Sequence, residues 1–344
     1  MKVLVTGHKG FIGTILTPML LERGYEVVGL DSDLYRNCTY GEPPVEVKEL
    51  IKDVRDAEES DVKGCDAIIH LAALSNDLLG NINPELTMEI NYRASVRLAK
   101  LAKAAGVPRF LFSSSCSMYG AGGDDFLDES ARFNPVTPYA ESKVLSERDI
   151  AKLADENFSP VFLRNATAYG VSPRMRFDLV LNNLAAWAYT TGNILMKSDG
   201  TPWRPIVHIE DISRAFIAML QAPRHLIHNQ AFNIGLNAEN YRIRELADFV
   251  KETIPGCEIG YAEGAGPDKR CYRVDFSKYA QAFPESPLQW SARRGAQQIY
   301  ASYKKYGLGK DEYEGVKYKR ILHIMHLLEN KLIDNSLRWI NGKN

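Results

Sequence analysis

The first two dozen residues restrict the fold more than any other part of the chain. Lys2-Val3-Leu4-Val5-Thr6 is short and apolar, and the run Gly7-His8-Lys9-Gly10-Phe11-Ile12-Gly13 follows at once. An apolar-periodic helix then continues to about Arg23 and is closed by Gly24. A strand that passes into a helix through three glycines needs a tight turn at Gly7, bare backbone at Gly10 and close helix–strand packing at Gly13. The helix N-terminus offers unpaired N–H groups and a positive dipole end to an anion. Such a unit implies an α/β fold, a doubly wound parallel sheet, with the glycine loop and its Phe11 and Ile12 lying against the pyrophosphate of a dinucleotide.

The alternation continues. A second strand, 25–30, ends in Asp31, about 20 residues past the glycines, where an acid accepts hydrogen bonds from the adenosine ribose and repels a 2′-phosphate. The expected cofactor is therefore NAD rather than NADP, with Lys9 a solvated loop lysine. A third strand closes over 51–56. There Asp53, beside Val54, is placed to accept from an adenine amino group or to cap a helix, and Asp56 is the better cap. Ala67 to Ala73 reads as a buried fourth strand. His70 is a satisfied strand-end histidine, and Leu71, Ala72 and Ala73 let a cofactor lie close to the backbone. The polar loop with Ser75, Asn76 and Asp77 leaves the carboxyl end of that strand, where ligands bind in open α/β sheets. A helix over 91–105 and a strand over 109–113 lead to Ser113-Ser114-Ser115-Cys116-Ser117-Met118-Tyr119-Gly120.

Thr137-Pro138-Tyr139-Ala140-Glu141-Ser142-Lys143 carries the chemistry. At a helix start, Tyr139 and Lys143, four residues apart, share a face. A phenol with a pKa of about 10 is a poor base at neutral pH. An ammonium about 4 Å away stabilises the phenolate by roughly 4 kcal/mol at an effective dielectric near 20. That is about three pKa units. In bulk water the gain is under about one unit, so the pair needs a shielded cleft.

In this order and at these separations, the glycine loop, Asp31, His70-Leu71-Ala72-Ala73, the serines before Tyr119-Gly120 and Tyr139-x-x-x-Lys143 resemble the extended short-chain dehydrogenase/reductase family, the nucleotide-sugar epimerases and dehydratases. The resemblance spans nearly the whole chain. It implies a Rossmann domain over 1–170, rejoined by 205–235, a smaller C-terminal α/β sugar-nucleotide domain over 171–204 and 236–315, and a helical extension over 316–344. It makes Ser115 the catalytic hydroxyl, gives Lys143 a second contact with the nicotinamide ribose, and lets Asn91 support the site from the neighbouring helix. Ser113 lies on the cofactor side, and Ser75, Asn76, Cys116 and Ser117 border the substrate. Asn165 and Thr167 follow on a sixth strand, 158–168, with Thr167 where an Asn is common. Asn183, with Leu184, matches a pair that holds the nucleotide diphosphate from a helix over 177–191. Arg204 and Arg270, with Arg273 second to Arg270, are expected to grip phosphate oxygens, for which a guanidinium fork is suited. Asp211 is expected to cap a helix.

The resemblance also fixes how the reaction begins: Tyr139 takes a hydroxyl proton while the C4 hydride passes to NAD, giving a 4-keto sugar. Its continuation is open. The resembling 4,6-dehydratases carry an Asp-Glu pair after the catalytic hydroxyl, and Cys116-Ser117 stands there instead. A leaving hydroxyl needs an acid, so the expectation is an epimerase that inverts through the keto sugar. Net oxidation, ketoreduction, decarboxylation and an unusual elimination remain alternatives. A non-catalytic dinucleotide sensor would have no use for Ser115, Tyr139 and Lys143. With a net charge of −1, neither nucleic acid nor membrane is expected as a partner, and no metal site is expected. The five scattered cysteines and the absence of a leader or apolar span point to the cytoplasm. The resemblance further implies a homodimer in which helices 91–105 and 139–157 pair as a four-helix bundle.

Overall fold

The computed structural model describes residues 1–75, 83–266 and 271–340. Its strands, in chain order, are β1 (Lys2–Thr6), β2 (Glu26–Asp31), β3 (Lys48–Ile51), β4 (Ala67–His70), β5 (Arg109–Ser115), β6 (Ala121–Leu127), β7 (Ser159–Asn165), β8 (Thr167–Tyr169), β9 (Asn193–Ser198), β10 (Trp203–His208), β11 (Gln230–Ile234), β12 (Asn240–Arg242), β13 (Glu258–Gly266) and β14 (Cys271–Val274). Among the described residues, seven strands form one sheet in the order β11-β7-β5-β4-β1-β2-β3. Every pairing in it is parallel. The order reverses at β1, and the chain crosses there from one half of the sheet to the other, which opens a crevice at the strands' carboxyl ends.

Strand alternation explains how this sheet is buried. Val3 and Val5 face one core cluster, with Leu111, Val161 and the helix Ile209–Gln221. Leu4 faces the other, with Ile68, Phe110 and the helix Ala94–Ala104. Both faces are covered, so β1 is apolar throughout, as parallel strands usually are. A third cluster, built on Tyr169, Phe177, Leu181 and Tyr303, lies beneath the helix Val180–Thr191. In the smaller sheets β10 lies between β8 and β12, β9 pairs with β13, and β6 pairs with β14.

Several boundaries differ from the sequence expectation. The expected sixth strand is two: β7 ends at Asn165, and β8 leaves the main sheet to pair with β10. The third strand ends at Ile51, and Val54–Asp56 is a 3-10 turn capped by Asp53, whose carboxylate accepts from Arg55 N; Asp56 lies inside the turn. The helix expected from 91 begins earlier, as Pro84–Thr87, and passes through a π-turn, Met88–Arg93, that contains Asn91. Asp211 does not cap its own helix, whose N-cap is His208; its carboxylate instead accepts from the backbone of Gln289 and Trp290. The tail helix is Arg320–Glu329.

Candidate active site

A cleft of about 980 Å³ opens at the carboxyl ends of β1, β2, β4, β5 and β7. One end is made by the glycine loop. Gly7 has φ of +72°, and a Cβ there would meet Ala72 N at 2.7 Å. At Gly13 a Cβ would stand 2.3 Å from the carbonyl oxygen of Gly7. The loop is thus pressed against both the β4 exit and its own helix, Gly13–Leu21, and only glycine fits at either point. Gly10, Phe11, Ile12, Leu71, Ala72 and Ala73 line the same end of the cleft.

Asp31 closes this end. Its carboxylate accepts from Lys9 N at 3.0 Å and Asp33 N at 2.8 Å, and burial raises its pKa. Lys9 is not solvated as expected. Its ammonium is held 2.9 Å from Asp33 and 3.0 Å from Glu49. Three carboxylates therefore crowd the ribose corner, while the Lys9 ammonium is paired with two of them and the Arg174 guanidinium lies 3.6 Å from Asp33, an environment that repels a 2′-phosphate. The loop and this corner fit an unphosphorylated dinucleotide. Asp31→Ala should shift the NAD-to-NADP preference toward NADP by about tenfold or more. Isothermal titration with both dinucleotides checks this, and an unaltered ratio counts against Asp31. Asp53 and Val54 also line the cleft, although both oxygens of Asp53 are engaged by Arg55, at 2.8 and 2.7 Å.

The other end carries the acid–base groups. Thr137 caps the helix Pro138–Ala151, its hydroxyl accepting from Ala140 N, and Pro138 takes the first turn, where a missing N–H costs nothing. Tyr139 and Lys143 consequently sit one turn apart in the cleft wall with Ser113, Ser115 and Ser117. Lys143 Nζ lies 5.8 Å from the Tyr139 ring centre, and it donates to the carbonyl of Ser113 at 2.7 Å. Lys143 is 4% exposed, and burial lowers its pKa to about 7. Ser115 Oγ accepts from Ser117 N at 3.1 Å, so its own proton remains available to a ligand. His70 is satisfied by Thr6 and Ser95, at 2.6 and 2.8 Å, and burial holds it neutral, with a pKa of about 3.

Other candidates are placed less simply. Cys116 does not border the cleft. It is fully buried behind it, donating to the carbonyl of Arg164 at 3.1 Å, and burial pushes its thiol pKa well up. Asn91 is also behind the wall. Its amide clasps the backbone of Leu74, at 2.8 and 3.1 Å, and donates to Ser142, so it supports the site without touching a ligand. Asn165 and Thr167 line the cleft, and Asn165 Oδ1 is a buried acceptor with no partner among the described residues. Asn183 lines it too, with its amide donating to Phe177 O and the Tyr313 hydroxyl. Arg204 is buried in the cleft wall, 5.9 Å from the Tyr272 ring. Ser75 reaches the cleft edge, where its hydroxyl and carbonyl accept from Arg176. Arg273 is stacked between Phe126 and Trp203, at 3.9 and 4.6 Å, and does not line the cleft. Asn76 and Arg270 lie outside the described residues. Arg176, Lys197, Tyr272, Lys319, Arg320 and Leu337 line the cleft without having been foreseen. Only Arg176, close after Arg174 in a polar loop, carried a usable sequence signal.

No three His, Cys, Asp or Glu side chains among the described residues are placed to hold a metal ion. Likewise no described helix is long and apolar enough to cross a membrane.

The chain is 26% identical over 342 residues to UDP-glucuronic acid decarboxylase 1 of Arabidopsis thaliana, covering 92% of this chain and 73% of that protein. It is 26% identical over 330 residues to UDP-glucose 4-epimerase of Bacillus subtilis, covering 88% and 95%. In fold it is similar to TunA, an NAD dependent NDP-hexosamine 5,6-dehydratase, with a TM-score of 0.78 at 24% identity over 88% of this chain and 98% of that one. Residues 3–235 match the family described as NAD dependent epimerase/dehydratase. With the glycine loop, Asp31 and the Tyr139–Lys143 wall in one cleft, the chain belongs to the NAD dependent epimerase/dehydratase family.

Proposed function

We propose that the protein is an NAD-dependent nucleotide-sugar epimerase that works through a transient 4-keto sugar. In this reading, residues 1–170 and 205–235 hold the cofactor, and 171–204 with 236–315 hold the sugar nucleotide. One observation carries the choice of reaction. Ser115, Tyr139 and Lys143 share the cleft with the dinucleotide loop, and each carboxylate lining that cleft among the described residues is engaged. Asp31 and Asp33 meet Lys9, Asp53 meets Arg55, and Asp178 meets Arg176. The residues after Ser115 are a buried thiol and a hydroxyl. Elimination of water needs a proton donor at the leaving hydroxyl, and no carboxylic acid stands there.

The chain's own groups then divide the work. Ser115 donates to the sugar oxygen and orients it. Tyr139 as phenolate accepts the hydroxyl proton, and Lys143 stabilises that phenolate across the shared helix face. NAD, when bound, accepts and returns the sugar's C4 hydride. The unpaired acceptor of Asn165 and the hydroxyl of Ser117, also without a partner among the described residues, give the sugar hydroxyls places to bond. Inversion asks only that the keto sugar turn over before the proton returns from Tyr139.

Product NMR with UDP-, dTDP-, GDP- and CDP-sugars tests this. Inversion at C4 without loss of mass is expected for one nucleotide series. Lost water, lost carbon dioxide or accumulated NADH in every series would refute the epimerase. The Arabidopsis relative makes decarboxylation the first outcome to check. We further infer a cytoplasmic homodimer, supported by five free cysteines and by the helices Ala94–Ala104 and Pro138–Ala151, which carry half-buried Val96, Val144 and Leu145; Tyr92, in the π-turn before the first, donates to Asp149 of the second.

A further inference from the structure

The segment after residue 315 lies beyond the family match; it is tied to residues 174–177 on one side, where Phe177 N donates to Tyr318 O at 3.0 Å, and by a larger set of contacts to one end of the cleft. The Tyr318 hydroxyl donates to Thr39 O at 3.0 Å. His323 Nε2 is 2.9 Å from Leu34 O. Trp339 Nε1 donates to Ser32 O at 2.7 Å, and Arg36 lies over its ring at 4.0 Å. Arg55 donates to Ser336 O at 2.7 Å, and Arg338 pairs with Asp56. These partners flank Asp31 and Asp53, the two acids of the adenosine end.

Five residues of this segment line the cleft, Lys319, Arg320, Ile321, Leu322 and Leu337, and two of them are held in unusual ways. Arg320 is 4% exposed. Its guanidinium lies 3.9 Å over Tyr35 and donates through Nη2 to Arg174 O at 2.9 Å, yet Nη1 is buried with no partner among the described residues. A buried guanidinium N–H left unpaired is costly, and the group that satisfies it best is an anionic oxygen such as that of a phosphate. Leu337 has φ of +60°, a left-handed conformation that a branched side chain rarely takes. The turn over-determines it: the Asp334 carboxylate accepts from Ser336 N at 2.8 Å and Arg338 N at 3.0 Å, while Leu337 N donates to Asp334 O at 2.9 Å. Strain held this firmly tends to mark a functional position. Leu337 also shares one apolar cluster with Val54 and Ile90, which line the cleft beside it.

We propose that residues 318–339 form a strap across the adenosine half of the cleft, in which Arg320 donates to the cofactor's diphosphate and Leu337 covers its adenosine, so that NAD leaves slowly. The proposal rests on the dinucleotide reading of the cleft and gives the C-terminal extension a task. It also deepens the reaction proposed above, because an inversion neither consumes nor produces reduced cofactor and gains from keeping it in place. A net dehydrogenase would have to exchange it at every turnover.

The test uses the full chain, as wild type, Arg320→Met and Leu337→Gly. The glycine variant relieves the backbone but also removes a buried side chain, so the melting temperature of each variant is measured beside its NAD release and only folded protein is compared. NAD content is measured by acid extraction after gel filtration, and release by chasing bound radiolabelled NAD with unlabelled NAD. Wild type should retain NAD. Arg320→Met should release it about 10- to 100-fold faster, the worth of one charge-assisted hydrogen bond. Leu337→Gly should release it about fivefold faster, the worth of one partly covering apolar side chain. Unchanged release in the folded variants overturns the strap. So does a raised nucleotide-sugar KM with unchanged NAD release in Arg320→Met, which would move Arg320 to the substrate's diphosphate. Wild type that keeps NAD but converts no nucleotide sugar defeats the proposed reaction and leaves the strap intact; wild type that binds no dinucleotide defeats both.

Discussion

Tyr139→Phe should keep its NAD and lose about 10³-fold or more in turnover, within the range for removal of a positioned acid–base group. The change deletes one oxygen from a side chain whose placement depends on other residues. Thr137 caps the helix and Pro138 opens it, and neither depends on the phenol. Lys143 remains fixed to the carbonyl of Ser113, and the glycine loop and Asp31 lie at the far end of the cleft. Cofactor content and melting temperature should therefore be close to wild type. What is lost is the acceptor for the sugar's hydroxyl proton, and Ser115 cannot replace it, because a serine hydroxyl is a far weaker acid and so is not a base at neutral pH. Single-turnover measurement at saturating nucleotide sugar, beside quantified bound NAD, is the decisive assay. A turnover within threefold of wild type would falsify the role of Tyr139.

The parts of this site that were legible in the sequence are those fixed by local geometry. Tyr139 and Lys143 share a wall because a helix sets four-residue spacing, and the Thr-Pro start announces where that helix begins. Gly7 and Gly13 announced a close approach that only tertiary distances make explicit, at 2.7 and 2.3 Å for an added Cβ. What failed depended on contacts between distant segments. Cys116 follows Ser115 directly, but the 3-10 turn Cys116–Tyr119 sends the thiol into the core toward Arg164, while Ser115 and Ser117 keep the cleft. Lys9 looked solvated because Asp33 and Glu49 are remote in sequence. Asn91 was expected to support the site from its helix; it does so from a π-turn, which no local pattern announced, with its amide held on Leu74. The tail announced its helix, Arg320–Glu329, but no function. Arg320 and Leu337 matter only because the chain returns across residues 32–39 and 53–56, and no local pattern encodes that return.

Lys143→Met should abolish catalysis by about 10³-fold and yet make the cofactor-free protein more stable at neutral and mildly acidic pH. Burial lowers the Lys143 pKa from an ordinary 10.5 to about 7. Between those two values the unfolded chain carries a proton at this site that the folded chain does not, so the site's contribution to stability rises with pH. Below about pH 7 both states are charged, and folding bears the full burial cost. The size of the shift sets that cost at roughly 5 kcal/mol at most, less about 1 kcal/mol for the hydrogen bond to Ser113 that methionine cannot make. For a chain of this length the difference should raise the melting temperature by about 2–5 °C at pH 6, and the gap should narrow as pH rises toward 10. Thermal unfolding of both apo proteins at pH 6, 8 and 9.5 reads the sign directly. A methionine variant that melts lower at every pH would make Lys143 a structural residue. The expected opposite result would show a charge buried at a cost to the fold, retained because the phenol one turn away needs a cation beside it.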